Sequence, residues 1–132
     1  MEKKINCLDL KGQHQQIKKE VFEAFEKVYE KTAFSGGPFV EEFEKAFSTF
    51  CNVKHTIGVS NGTTALHLAM LALGIGAGDE VIIPANTFIA TAWGVSHAGA
   101  TPVYVDCTAD TWEIDITKIE EKITPKTKAI IG

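Results

Sequence analysis

The sequence predicts an α/β layer fold with a mostly parallel sheet. From residue 55 onward, short runs rich in β-branched residues alternate with helical patterns of apolar residues. This alternation is typical of strand–helix–strand units with right-handed crossovers. Before residue 55, apolar residues recur with helical spacing and charged residues fill the other positions. We therefore expect two parts, a helical arm over residues 1–54 and an α/β part over residues 55–132.

The arm is predicted to contain two amphipathic helices. The first covers Gln13 to Lys31, and the Ser35-Gly36-Gly37-Pro38 run ends it. Proline is favoured at the first position of a helix, so Pro38 is expected to begin the second. The apolar face of that helix comprises Val40, Phe43, Phe47 and Phe50.

Four strands and three helices are predicted in the α/β part. The strands are His55–Ser60, Glu80–Pro84, Thr101–Asp106 and Lys128–Gly132, and the helices are Gly62–Leu73, Thr87–Ala98 and Asp115–Ile123. The first of these helices is apolar on nearly every side, so we expect it to be buried. Because helices normally cover both faces of a parallel sheet, the last strand leads us to expect completion by another chain or by further sequence.

Composition narrows the functional class. The chain has 132 residues, 45% of them apolar, and a net charge of −4, which disfavours nucleic acid as a partner. No apolar run reaches membrane-spanning length, and we expect a cytoplasmic protein without a membrane partner. The three cysteines and four histidines lack metal-ligand spacing, so no metal is expected.

A phosphate-binding turn is predicted where the first strand meets the first helix of the α/β part. The run Ser60-Asn61-Gly62-Thr63-Thr64 places backbone N–H groups and hydroxyls at a helix N-terminus, which favours anions. Phe88 follows the next strand at the same kind of junction. A phosphate seat and an aromatic ring together suggest a phosphorylated planar cofactor, and pyridoxal phosphate fits that description.

Each of these features also has a simpler interpretation. A Gly-Thr turn is often only a tight turn with a helix cap, and Phe88 alone is more often a core aromatic. Asp106, at a strand end, could orient a ligand or form a turn. Trp93 and Trp112 are most simply packing residues. Neither G-x-G-x-x-G nor a P-loop occurs, which disfavours dinucleotide and nucleoside-triphosphate sites.

Together these runs resemble the DegT/DnrJ/EryC1/StrS family of pyridoxal-phosphate-dependent nucleotide-sugar aminotransferases. The resemblance rests on Gly58-Val59-Ser60-Asn61-Gly62-Thr63-Thr64-Ala65-Leu66, Gly78-Asp79-Glu80-Val81-Ile82 and Pro84-Ala85-Asn86-Thr87-Phe88-Ile89-Ala90-Thr91-Ala92. The segments beginning at Phe34 and Gly99 and the run Lys128–Ile131 also match. The resemblance implies the first part of the large domain of the type I, aspartate-aminotransferase-like fold, with three α/β/α layers.

By the same resemblance, Gly62, Thr63 and Thr64 would hold the cofactor phosphate and Phe88 would stack on its ring. The Phe34–Gly37 loop would lie near the sugar-nucleotide site. The family's Schiff-base lysine, and the Asp that pairs with the ring nitrogen, are expected beyond Gly132. Lys126 and Lys128 do not match the lysine's position, so no catalytic residue is assigned and the chain alone is expected to be inactive.

The resemblance implies transfer of an amino group, from glutamate, to a nucleotide-linked keto-sugar for polysaccharide or glycoconjugate synthesis, in a homodimer. Two alternatives stay open. Some relatives carry a histidine in place of the lysine and dehydrate sugars instead. The chain could also be a truncated, non-catalytic remnant that serves at most as a dimerisation module.

Overall fold

The structure is a computed structural model that describes residues 7–132. The chain divides into two compact units, and the boundary lies between Gly58 and Val59. Within the described residues, no helix combines the length and the apolar character that crossing a bilayer requires.

The first unit contains the two predicted amphipathic helices, α1 (Leu10–Glu30) and α2 (Pro38–Cys51). Asp9 caps α1, since its carboxylate accepts a hydrogen bond from the N–H of Gly12 at 3.1 Å. Pro38 occupies the first turn of α2 as predicted, and the helix ends at Asn52, which adopts a left-handed conformation with φ 52°.

The strand predicted at His55–Ser60 is not formed, and that prediction is wrong. Side chains of α2 bind this segment instead. The N–H of Gly58 donates to a carboxylate oxygen of Glu44 at 2.7 Å, and the hydroxyl of Ser48 donates to that of Thr56 at 2.8 Å. The backbone N–H of Gly58, which a strand could use for pairing, is thus bound by a helix side chain.

The second unit is built on a three-stranded parallel sheet, which confirms the predicted fold class. Its strands are β1 (Glu80–Pro84), β2 (Thr101–Val105) and β3 (Thr127–Ile130), arranged in the order β2-β1-β3. In the β1–β2 pair, Glu80 lies opposite Thr101 and Pro84 opposite Val105. The β1–β3 pairing is also parallel, with an irregularity in register between Glu80 and Val81.

Two α-helices accompany the sheet, α3 (Gly62–Ala72) and α4 (Ala90–His97). The helix predicted over Asp115–Ile123 is instead a pair of short 3₁₀ turns, Ile116–Lys118 and Glu120–Lys122. At their start, the side chain of Asp115 accepts a hydrogen bond from the N–H of Thr117 at 3.0 Å. Asp115 is thus the N-cap of the first 3₁₀ turn.

The core of the second unit lies around the central strand. Its fully buried side chains are those of Val81, Ile82, Ile83, Val95 and Val105. The expectation that α3 would be buried is wrong, because Met70 is its only buried residue and the side chains of Leu68 and Leu71 are 44% and 50% exposed. Only one face of α3 packs against α4.

Candidate functional site

The site begins at the first turn of α3, where Asn61 is the N-cap. The side-chain oxygen of Asn61 accepts a hydrogen bond from the N–H of Thr64 at 2.9 Å, and its backbone oxygen accepts one from Ala65 at 3.0 Å. The hydroxyls of Ser60 and Thr64 lie 3.0 Å apart and share a hydrogen bond. These bonds fix the turn that the sequence predicts as a phosphate seat.

Two backbone donors of this turn are free for a ligand. Across residues 7–132, nothing accepts a hydrogen bond from the N–H of Gly62 or the N–H of Thr63. A Cβ placed on Gly62 would meet no atom within 4 Å, so the approach to these groups is open. Free N–H groups at the positive end of a helix dipole favour an anion.

A cavity of about 390 Å³ lies between α3 and α4 in the second unit. The residues that line it are Asn61, Thr63, Thr64, His67, Trp93 and His97. None of these side chains is acidic, and each can donate a hydrogen bond. The cavity therefore offers hydrogen-bond donors to a negatively charged ligand and contains no carboxylate that would repel it.

Three of these lining residues, His67, Trp93 and His97, were not among the predicted site residues. The rings of His67 and His97 meet edge to face, with centroids 5.8 Å apart and planes 82° apart. Thr63 and His67 are four residues apart on α3, as Trp93 and His97 are on α4, so each pair shares a helix face. That spacing was visible in the sequence, but the pairing of the two faces depends on how the helices pack.

Phe88 lies between the end of β1 and the start of α4, and its side chain is 75% exposed. The ring is not a core aromatic, so that simpler interpretation is wrong. Phe88 is absent from the lining of the cavity beside α3. An exposed ring at the carboxyl end of a parallel strand lies where ligands of α/β sheets bind.

Asp106 takes part in closing the loop after β2. One carboxylate oxygen accepts a hydrogen bond from the N–H of Cys107 at 2.9 Å, and the backbone oxygen accepts one from Asp115 at 2.9 Å. The ammonium of Lys118 lies 3.5 Å from Asp106 and 3.4 Å from Asp115. Hydrogen bonding to Asp115, helped by the charge of Asp106, raises the pKa of Lys118. The contacts favour the turn-forming role of Asp106.

The predicted Phe34–Gly37 loop belongs to the first unit. Gly36 and Gly37 both have positive φ, 66° and 84°, and the side chain of Phe34 is 64% exposed. Across the described part of the chain, no group of three or more His, Cys, Asp or Glu side chains could hold a metal ion.

The chain is similar to sugar aminotransferases over most of its length. It is 58% identical over 97 residues to GDP-perosamine synthase from Caulobacter vibrioides, which covers 74% of this chain and 26% of the relative. It is 46% identical to dTDP-3-amino-3,6-dideoxy-alpha-D-galactopyranose transaminase from Aneurinibacillus thermoaerophilus, over 96% of this chain and 35% of the relative. The chain thus spans about a quarter to a third of the length of these curated relatives.

Solved structures give the same result. DesV from S. venezuelae, solved in complex with a ketimine intermediate, matches with a TM-score of 0.91 and 40% identity, over 96% of this chain and 34% of that one. NtdA from Bacillus subtilis, solved with bound cofactor PMP, matches with a TM-score of 0.82 and 44% identity, over 85% and 26% respectively. The model of the DegT/DnrJ/EryC1/StrS aminotransferase family matches residues 15–132. The chain therefore belongs to the DegT/DnrJ/EryC1/StrS aminotransferase family.

Proposed function

We propose that this chain forms the phosphate-binding part of a pyridoxal-phosphate-dependent aminotransferase that acts on a nucleotide-linked keto-sugar, with glutamate as the amino donor. The observation that carries the proposal is the open start of α3, where two N–H groups lack partners within residues 7–132 beside a cavity without acidic side chains. Family membership and a PMP-bound structural neighbour support the cofactor, and the relatives' names support the substrate class.

The residues at this turn fit the phosphate of the cofactor. In the proposed complex, the N–H groups of Gly62 and Thr63 donate to phosphate oxygens, and the hydroxyls of Thr63 and Thr64 add two further donors. Phe88 provides a flat apolar surface for the pyridine ring. Bound pyridoxal phosphate supplies the electron sink of amino transfer, and the protein supplies its binding and orientation.

We further propose that the 132-residue chain binds this cofactor without catalysing amino transfer. A lysine is needed to carry the cofactor and move a proton, and none of the six residues lining the cavity is a lysine. Lys126 lies in the turn before β3 and Lys128 lies within β3. Neither is assigned a catalytic role.

The first prediction tests ligand binding at the start of α3 by equilibrium titration. Pyridoxamine phosphate is the probe, because it has no aldehyde to react with surface lysines. In a Trp112→Phe background, Trp93 is the only tryptophan and lines the cavity. We expect saturable quenching of its fluorescence and competition by inorganic phosphate. Thr63→Val should weaken binding about tenfold, because a hydrogen bond to a charged group is lost.

Thr49→Val on α2 is the matched control, since it removes a hydroxyl that bonds only to the backbone of its own helix. It should leave the affinity unchanged. Binding that phosphate does not compete for, or an absence of saturable binding, would overturn the proposed function.

A further inference from the structure

Thr91 is the one buried polar residue among those that the structure describes, with 9% of its surface exposed. Its hydroxyl lies 2.9 Å from the hydroxyl of Thr87, and the two share a hydrogen bond. Its N–H donates to the backbone oxygen of Phe88 at 3.0 Å. Thr91 therefore contacts Phe88 directly and also the residue before it.

The segment fixed by these bonds has no regular secondary structure of its own. Residues 85–88 connect β1 to the first turn of α4, and the N–H of Ala85 donates to the backbone oxygen of Val105 at 2.8 Å. Beyond that bond, the two contacts of Thr91 tie the connection to α4. Thr91 itself is buried in α4, whereas residues 85–88 are exposed, so the segment is held by a residue that packs against the core.

The ring of Phe88 needs such an anchor. It is 75% exposed, and across residues 7–132 no other aromatic ring stacks on it. Without packing around it, the ring is placed by the backbone of the segment, which fixes its Cα–Cβ bond and limits its side-chain rotamers. A binding surface that is correctly placed only part of the time loses affinity in proportion to that fraction.

We propose that Thr91 is a positioning residue that, through Thr87 and the backbone of Phe88, orients the Phe88 ring toward the cofactor. The inference rests on the proposed function, in which Phe88 stacks on the pyridine ring. It adds that the buried hydroxyl of Thr91 affects cofactor binding only through the position of the Phe88 ring. Phosphate binding at the start of α3 is then unaffected.

The test compares two probes on the full chain, pyridoxamine phosphate and inorganic phosphate. Thr91→Val keeps the shape of the side chain and removes the hydroxyl, whereas Thr91→Ser keeps the hydroxyl. Thr91→Val should weaken pyridoxamine phosphate binding about 2- to 10-fold, the range of an aromatic stacking contact. Thr91→Ser should restore it, and the affinity for inorganic phosphate should stay unchanged in both variants.

Two further variants keep the result decisive if Thr91→Val fails to fold. Thr87→Val removes the other hydroxyl at an exposed position and should have the same effect. In a Phe88→Ala background, either valine substitution should cause no additional loss, because coupled residues are non-additive. The inference would be overturned if both valine variants bound pyridoxamine phosphate as tightly as the wild type does. It would also be overturned if a valine substitution caused the same loss of affinity in the Phe88→Ala background as in the wild type, or if phosphate binding weakened in parallel. A wild-type chain that binds neither probe would overturn the proposed function, and this inference with it.

Discussion

Asn61 caps α3 and also keeps the start of this helix free of negative charge. Its side-chain oxygen caps α3 through the N–H of Thr64, and its side-chain nitrogen donates to the hydroxyl of Ser60 at 3.3 Å. Asn and Asp cap helices about equally well, so stability alone does not distinguish them. Only the amide leaves the neighbouring N–H groups of Gly62 and Thr63 without a nearby negative charge. The choice of Asn therefore suits an anion seat.

The second prediction separates these roles by substitution at Asn61. Asn61→Asp should keep the helix cap and lower the free energy of unfolding by less than Asn61→Ala does, while weakening phosphate binding about tenfold, because a carboxylate repels the anion at short range. Asn61→Ala should lower the free energy of unfolding by about 1 kcal/mol through loss of the cap. Urea denaturation and phosphate titration measure the two effects. Unchanged phosphate affinity in Asn61→Asp would show that the anion does not bind at this turn.

The open turn at the start of α3 could be predicted because its geometry is local. Gly62, Thr63 and Thr64 follow one another in sequence, and a helix start by itself places their donors together. His67, Trp93 and His97 could not be assigned in the same way. They line the cavity only because α3 and α4 pack side by side, and no local pattern states which two faces will meet.

At the scale of elements, a small residue sets the distance between α3 and α4. A Cβ built on Gly94 would lie 2.7 Å from the Cβ of Leu66 and 3.2 Å from its backbone carbon. Gly94 is one of the buried residues of α4. The close approach of the two helices therefore depends on the absence of a side chain at this position.

The third prediction is that Gly94→Ala destabilises the fold in spite of alanine's higher helix propensity. The added methyl overlaps the Cβ of Leu66, which is fixed by its own backbone, and overpacking of this kind costs about 1–3 kcal/mol. Gly76→Ala is the control, because its Cβ would meet only the backbone oxygen of Ala98 at 3.5 Å. The free energy of unfolding from urea titrations should fall for Gly94→Ala alone. Equal stability of the two variants would contradict the packing argument.

Secondary-structure elements could be predicted where the sequence pattern agrees with the tertiary surroundings of the segment. The strands β1, β2 and β3 are short apolar runs between turns, and each was predicted to within two residues. The His55–Ser60 segment has the same β-branched character but is bound by Glu44 and Ser48 of α2. Strand propensity describes how well a residue fits a pleated surface, so it cannot show whether a neighbouring strand is present.

At the scale of the whole chain, both units leave large apolar side chains in contact with solvent. On α1, Val21, Phe22, Phe25 and Tyr29 are each more than half exposed. In the second unit, Leu71, Leu73 and Tyr104 are likewise at least half exposed. Contiguous exposed apolar surface favours association with another surface of the same kind. We therefore expect the chain to self-associate, in line with the homodimer inferred from its resemblance to the family.

The fourth prediction tests this with charge substitutions on α1. Phe22→Glu together with Phe25→Glu should shift the chain toward monomer in sedimentation velocity, because two carboxylates would have to be desolvated in any contact of this face. Gln13→Glu with Gln16→Glu adds the same charge at the same spacing, at exposed polar positions of the same helix. This control should sediment like the wild type. A wild-type chain that stays monomeric at concentrations of about 100 μM, where weak dimers form, would show that these faces do not drive association.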